Sequence, residues 1–313
     1  MKFIETLKDG DRVSDIYLCK SKTTAMTKTG KEYESVVLQD RTGCLDGKIW
    51  EPSSMGIGEY EAMDYVEVNG LVTNYNGARQ LKIDRLRRVS EGEYSPENYM
   101  PVSSLSIDDM YRELLEYVHN TNNEYIKKLL ESFFVEDREF IQAFKKRSAA
   151  KSIHHSFMGG LLEHSLSVTK LCECIADRYA YLNRDLLIAC AMLHDVGKIQ
   201  EFSDFPLNDY TDAGNLLGHI VIGCEMIGAK IRQIEGFPQI LEAQIKHCII
   251  SHHGELEFGS PKKPAIAEAV ALSMADNLDA KLETLKEIFD SKEGTDWLGY
   301  NRLFESNIMR TKV

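Results

Sequence analysis

The residues best suited to chemistry are His164, the pair His194-Asp195, His219, the pair His252-His253 and Asp276, all in the second half of the chain. Imidazole and carboxylate side chains suit Mn, Fe, Co and Zn ions. His194-Asp195 ends an unbroken apolar run from Leu186 to Leu193. A carboxylate in such a place needs a partner or a metal, because burying an unpaired charge is expensive. Asp276 is placed in a similar way, within Ser273-Met274-Ala275-Asp276-Asn277. One carboxylate can bridge two ions about 3.5–4 Å apart, the spacing used in phosphate-ester hydrolysis. The set therefore predicts a two-metal hydrolytic site. Any one of these histidines alone would read as a satisfied structural residue, as His119 and His247 do. The adjacent pairs and their order strengthen the joint reading. His154-His155 lies close to Lys145-Lys146-Arg147 and Lys151, so it reads either as a phosphate contact or as part of a solvated basic run.

Elements must hold these side chains, and 313 residues are enough for two domains. Residues 12–89 alternate as strands do. The runs begin at Val13, Tyr33, Gly43, Asp64 and Gln80, with turn signals at Lys28-Thr29-Gly30, Arg41-Thr42-Gly43 and Asn76-Gly77. Short strands with a break after the third predict a Greek-key barrel of the OB type over residues 1–90. Residues 91–105 break both periods and read as a linker. Ser106-Ile107-Asp108-Asp109 is a helix-start pattern. From residue 106 to residue 313 the period is helical, giving an all-α second domain that contains the whole histidine–aspartate set.

Composition limits the function further. The net charge of −12 argues against coating nucleic acid by charge alone. Residues 1–90 are balanced in charge, so the acidic excess lies in the second domain, where divalent cations would reverse the local sign. The seven cysteines include no C-x-x-C pair, which predicts free thiols in a reducing cytoplasm. There is no apolar signal core at Met1-Lys2-Phe3-Ile4-Glu5, and no run near the ~20 residues that span a bilayer. The expectation is a cytoplasmic protein with no membrane partner. A G-x-S-x-G elbow and a phosphate-binding Gly-rich loop are both lacking.

The order His164, His194-Asp195, His219, His252-His253, Asp276 resembles the signature of HD-domain phosphohydrolases, with His194-Asp195-Val196-Gly197-Lys198 similar to the family's H-D-x-G-K segment. The resemblance implies one ion on His164, His194, Asp195 and Asp276, and a second on Asp195, His219, His252 and His253. Asp279 is a rival carboxylate that fits the pattern less well. With an OB-like front, Gly159-Gly160-Leu161-Leu162-Glu163-His164, and His252-His253-Gly254 running on to Gly259-Ser260-Pro261, nearly the whole chain resembles the YhaM family of bacterial 3′→5′ exoribonucleases. That likeness implies two divalent ions, Mn2+ first, with Co2+ or Fe2+ as alternatives. It implies single-stranded RNA as substrate, single-stranded DNA as a further one, and nucleoside 5′-monophosphates as products. In that chemistry Asp195 is central, Lys198 is a candidate for a phosphate oxygen or else a solvated lysine, and His155 is a weaker phosphate candidate.

An OB barrel grips single strands with stacking aromatics and a basic groove. The candidates are Tyr17, Lys20, Tyr33, Trp50, Arg79 and Lys82, with some of the aromatics expected in the core. Two other functions stay open at this stage. One is an HD-type nucleotidase or cyclic (di)nucleotide phosphodiesterase, and the other is a DNA-binding regulatory OB protein. The apolar stripes in 106–134 and the segment from Trp297 to Met309 are candidate surfaces for a homo-oligomer, or else pack on their own domain.

Overall fold

The computed structural model describes the chain except residues 28, 76–77, 96–97, 101–102, 104, 151–156, 292–295 and 312–313. The first sheet is organised by one long strand, β1 (Arg12–Met26). Its first half pairs with β4 (Tyr65–Tyr75) and its second half with β2 (Glu32–Asp40), both antiparallel. A bulge between Cys19 and Ser21 lets β1 turn from one partner to the other. β2 continues antiparallel to β3 (Gly43–Ile49), and β3 runs parallel to β5 (Ala78–Arg88), which returns to β4. The closed order β1-β2-β3-β5-β4 is that of an OB barrel. Alternate residues fill it: Val13, Tyr17, Cys19, Val36, Leu38, Leu45, Ile49, Val66, Val68, Leu81 and Ile83 form one buried cluster. The interval expected as a linker packs on the same unit. Tyr94 stacks on Tyr65, and Tyr99 joins a second small cluster with Leu18 and Val89.

The chain divides into two compact units, Met1–Val102 with Asp204–Asn208, and Ser103–Ser203 with Asp209–Val313. Described helices of the second unit are α1 (Ile107–His119), α2 (Glu124–Phe134), α3 (Arg138–Lys146), α4 (Gly160–Arg178), α5 (Arg184–Leu193), α6 (Lys198–Glu201), α7 (Asp212–Ile231), α8 (Gln239–Ser251) and α9 (Ala267–Ser291). Polar caps set several of their starts. Ser106 accepts from the Asp109 amide as the sequence pattern predicts, and Asn123, Asp137, Asn183 and Thr211 do the same for α2, α3, α5 and α7. Every residue of α5 from Leu186 to Leu193 is buried. Its neighbours include α4, α8, α9 and α2. Fully burying each large apolar side chain contributes about 1.5–3 kcal/mol, so α5 is the axis on which this unit condenses. The α1–α2 stripe, a candidate oligomer surface, is core here: Met110, Leu114, Val118, Ile126, Leu129, Leu130, Phe133 and Phe134 are all buried within the unit.

One element departs from the all-helical expectation. Trp297–Asn301 and Ser306–Met309 form an antiparallel hairpin, β6–β7. Gly299 and Glu305 take positive φ there, and Trp297, Tyr300 and Leu303 stay exposed. The segment shows no helical stripe, and an extended hairpin satisfies its backbone instead. Among the described residues, no helix is long and apolar enough to cross a membrane.

Candidate metal centre

Four helices deliver the metal-binding residue types to the end of α5. His164 comes from α4 and Asp276 from the middle of α9. His194 is the C-cap of α5, so Asp195 follows directly in the turn to α6. His252 is the C-cap of α8, with His253 next to it. His219 lies on α7 after a break, where Gly218 takes φ 72° and ψ 159° inside the helix. Only glycine adopts that conformation readily. Gly197 closes the arrangement. A Cβ there would lie 2.6 Å from the Gly223 amide nitrogen and closer still to the His219 carbonyl oxygen. The His194-Asp195 turn and α7 therefore meet backbone to backbone.

The two oxygens of Asp195 face different partners. Oδ2 lies 3.5 Å from His164 Nε2 and 3.4 Å from His194 Nε2. Oδ1 lies 3.4 Å from His219 Nε2 and 3.8 Å from His252 Nε2. Asp276 Oδ1 joins the first set at 3.2 Å from His164 Nε2 and 3.8 Å from His194 Nε2. His253 joins the second: the ligand atoms of His219, His252 and His253 lie within 4.8 Å of one another, as do those of His164, His194 and Asp276.

Each ring is fixed from behind. The Nδ1 of His194, His252 and His253 faces the carbonyl oxygen of Ala191 (2.8 Å), Ile249 (2.6 Å) and Phe258 (2.8 Å). The Nδ1 of His164 faces Asp279 Oδ2 at 2.7 Å, and that of His219 faces Glu201 Oε1 at 3.1 Å. All five partners are acceptors, so each ring donates from Nδ1, and His164, His194, His219 and His252 turn Nε2 toward the shared aspartate, the second-sphere arrangement of metal-ligating histidines. Asp279, the rival ligand, thus holds His164 from behind, and Ser167 donates to its other oxygen. Glu201 was not singled out by the sequence. The signal available was its place on the same short helix as Lys198, buried between turns where a solvated glutamate would be ordinary.

Electrostatics favour a cation. Burial works against ionising Asp195, but Lys198, His194 and His219 hold its carboxyl well below the usual range. Asp276 is lowered in the same sense, burial being outweighed by His164 and His194. Burial opposes charge on His164, yet the hydrogen bonds of Asp276 and Asp279 raise it to about 10. His252 is pushed the other way, by burial first and then by the charges of His253 and His194, so it stays in the neutral form that binds metal.

The fit to divalent ions rests on one observation. Asp195 Oδ1, His219 Nε2 and His252 Nε2 are buried with no hydrogen-bond partner. Leaving such atoms unpaired costs about 1–3 kcal/mol each, and they point at one another. An ion between these imidazoles and the carboxylate removes that cost, and the nitrogen–oxygen set suits Mn, Fe, Co or Zn.

Lys198 lies in this site, its ammonium 2.7 Å from Asp195 Oδ2. Asp195 raises its pKa against the opposing effect of burial. His155, with His154, lies outside the described residues.

On the barrel, the structure brings together part of the proposed binding set. Tyr33 and Trp50 pair with ring centroids 5.0 Å apart, and Trp50 is 41% exposed. Trp50 and Lys82 line one groove of about 330 Å³. Lys48, which the sequence reading passed over, stands beside Lys82 in the β3–β5 register with its ammonium 5.9 Å from the Tyr33 ring. It shares the outward parity of Trp50, which would have found it. Two candidates are corrected. Tyr17 is 1% exposed and donates from its hydroxyl to the Lys2 carbonyl; it has the inward parity of Val13 and Cys19. Arg79 donates from Nη1 to the carbonyls of Ile4, Glu5 and Leu7, pinning the N-terminal turn. Lys20, the third basic candidate, is exposed at the β1 bulge between Cys19 and Ser21.

Comparison with known proteins places these features together. An HD-domain family model matches residues 161–281. The chain is 35% identical to the 3′-5′ exoribonuclease YhaM of Bacillus velezensis over 276 residues, 87% of this chain and 86% of that one. It is also 35% identical to the protein of the same name from Bacillus subtilis, across 88% of this chain and 87% of that one. Among solved structures, the second OB-fold domain of replication protein A from Methanococcus maripaludis is similar at 19% identity and TM-score 0.22, covering 30% of this chain and 98% of that domain.

Proposed function

This chain belongs to the YhaM family of 3′-5′ exoribonucleases, and from that premise we propose how its two units divide the work. It is a metal-dependent 3′-5′ exoribonuclease of the HD type. The substrate is the 3′ end of single-stranded RNA, with single-stranded DNA as a second substrate, and the products are nucleoside 5′-monophosphates. His164, His194, Asp195 and Asp276 hold one divalent ion, and Asp195, His219, His252 and His253 hold a second. Mn2+ is the first choice for both. The observation that carries this reading is Asp195, whose oxygens face separate histidine sets while Oδ1 has no hydrogen-bond partner.

When bound, such ions supply Lewis-acid polarisation of the phosphodiester and a nucleophile at neutral pH. The chain's own residues supply the rest. Asp195, ionised and buried, fixes the spacing of the two sets. Lys198 balances Asp195 and is within the site, so it can turn its ammonium to a phosphate oxygen and offset charge that develops during hydrolysis. The neutral His252 presents a lone pair without needing to lose a proton first. On the barrel, Tyr33 and Trp50 provide a stacking surface for bases, with Lys48 and Lys82 beside it for the phosphates. The seven free thiols support a reducing, cytoplasmic setting.

Metal-stripped protein restored with Mn2+ should shorten a 5′-labelled single-stranded RNA in single-nucleotide steps and release 5′-monophosphates. Release of product from free mononucleotides or cyclic dinucleotides with the RNA left intact would overturn the proposal.

A further inference from the structure

The two histidine sets differ in charge. The first has a carboxylate of its own, Asp276, besides its share of Asp195. The second consists of three imidazoles and the remaining oxygen of Asp195. Three imidazoles and half a shared carboxylate are a weak cage for a divalent cation, and Lys198 draws on that same aspartate through its other oxygen. The compensating charge is Glu201. It is 6% exposed, and its Oε1 accepts from both His219 Nδ1 at 3.1 Å and the His219 backbone amide at 2.9 Å. Both bonds go to the residue that follows the Gly218 break, where the backbone of α7 leaves helical geometry. Glu201 is itself anchored, because its carbonyl accepts from the amide of Thr211, the N-cap of α7.

We infer that Glu201 is the positioning carboxylate of the three-histidine set: it fixes the His219 ring and supplies the negative charge that this set lacks, and so governs its affinity for a divalent cation. The inference rests on the two-ion reading above. Asp279 is its counterpart for the first set, but there Asp276 already supplies a charge, so Asp279 matters less. Removing a carboxylate behind a metal-binding histidine lowers metal affinity roughly 10–100-fold. Glu201→Gln should therefore weaken one equivalent by that factor, and Asp279→Asn should weaken the other by less.

The test is Mn2+ titration of metal-stripped full-length protein, followed by the paramagnetic resonance of free ion and by calorimetry. Wild type binds two equivalents; fewer than two would refute the two-ion reading itself, whatever the variants do. Given two, Glu201→Gln should keep one at wild-type affinity and weaken the other, and His219→Ala should weaken that same one. Wild-type affinity for both ions in Glu201→Gln, or an equal loss in both, overturns the inference. Should the glutamine variant fail to fold, Glu201→Asp, which keeps charge but loses reach, takes its place. It should weaken the same equivalent, and unaltered binding there overturns the inference equally.

Discussion

Each unit buries an aspartate, and the two are treated differently. Asp40 in the barrel is fully buried, and its carboxylate is satisfied. It accepts from the amide of Ile4 at 2.6 Å, the amide of Thr42 at 2.7 Å and the Thr42 hydroxyl at 2.6 Å. Asp195 in the helical unit is 1% exposed, yet its Oδ1 has no hydrogen-bond partner and faces two imidazole nitrogens that have none either. Burial alone thus does not mark a site. Asp40 ties the N-terminal turn to a strand end and is complete in itself. Asp195 and its histidines are complementary only to something positively charged.

The sharpest way to break this contrast is Asp195→Asn. The amide keeps the shape but loses the charge shared by the two histidine sets. Hydrolysis of single-stranded RNA should fall at least about 10³-fold in kcat/KM, on the order of 4 kcal/mol of transition-state stabilisation. Filter binding of the same RNA should change little if the barrel grips it. Retention of hydrolysis would remove Asp195 from the chemistry. Gly197→Ala comes next. The added methyl must push α7, and with it His219, away from the Asp195 turn. A displacement near 1 Å at a reacting centre costs roughly 10²-fold, so kcat should drop by that order, with the Mn2+ requirement shifted to higher concentration. A normal rate in Gly197→Ala would mean that the close backbone approach is not what sets the site.

Much of the contrast is legible in the sequence, for physical reasons. His194-Asp195 is conspicuous because it ends an apolar run that can only be core, and α5 is indeed the most buried helix of its unit. The barrel is legible as alternation with turn residues between runs. Orientation within a strand is harder. Tyr17 lies in the mixed run Ile16-Tyr17-Leu18-Cys19, where either parity can face inward, and the β1 bulge shifts the register at Lys20. Arg79 looked available because its partners are backbone carbonyls some seventy residues away in the N-terminal turn, and no sequence pattern announces those. Glu201 and Asp279 are hidden for a similar reason. Each looks like a helix-surface acid until the fold puts a histidine Nδ1 in front of it. The β6–β7 hairpin is short, and it buries Leu298 while Trp297, Tyr300 and Met309 remain exposed, so neither period is strong enough to show.

Smaller effects separate gripping from cutting. Trp50→Ala removes the exposed half of the Tyr33–Trp50 pair. Base–aromatic stacking is worth about 1–3 kcal/mol per base, so the Kd for single-stranded RNA should rise roughly 5–150-fold while kcat at saturating RNA stays near wild type. A fall in kcat with unchanged Kd would show that this face does not hold the substrate.

Asp40→Asn is the opposite control and should have the smallest effect on catalysis. Its amide nitrogen must face either the Ile4 amide or the Thr42 donors, all of which need an acceptor. Hydrogen bonds to a charged group contribute about 1.5–3 kcal/mol each, but asparagine can keep one side satisfied, so a net loss of about 2 kcal/mol is expected. For a unit of this size that lowers the melting temperature of the barrel by roughly 8–16 °C. Below that transition, Mn2+-dependent RNA hydrolysis should stay within about twofold of wild type, an effect under ~0.5 kcal/mol. Calorimetry with and without Mn2+ makes the distinction measurable. The ion should raise the melting of the helical unit in Asp40→Asn as much as in wild type, because ligand stabilises only the fold that binds it. In Asp195→Asn that rise should shrink or vanish. If Asp40→Asn lost the Mn2+ effect as well, the two buried aspartates would not be doing separate jobs.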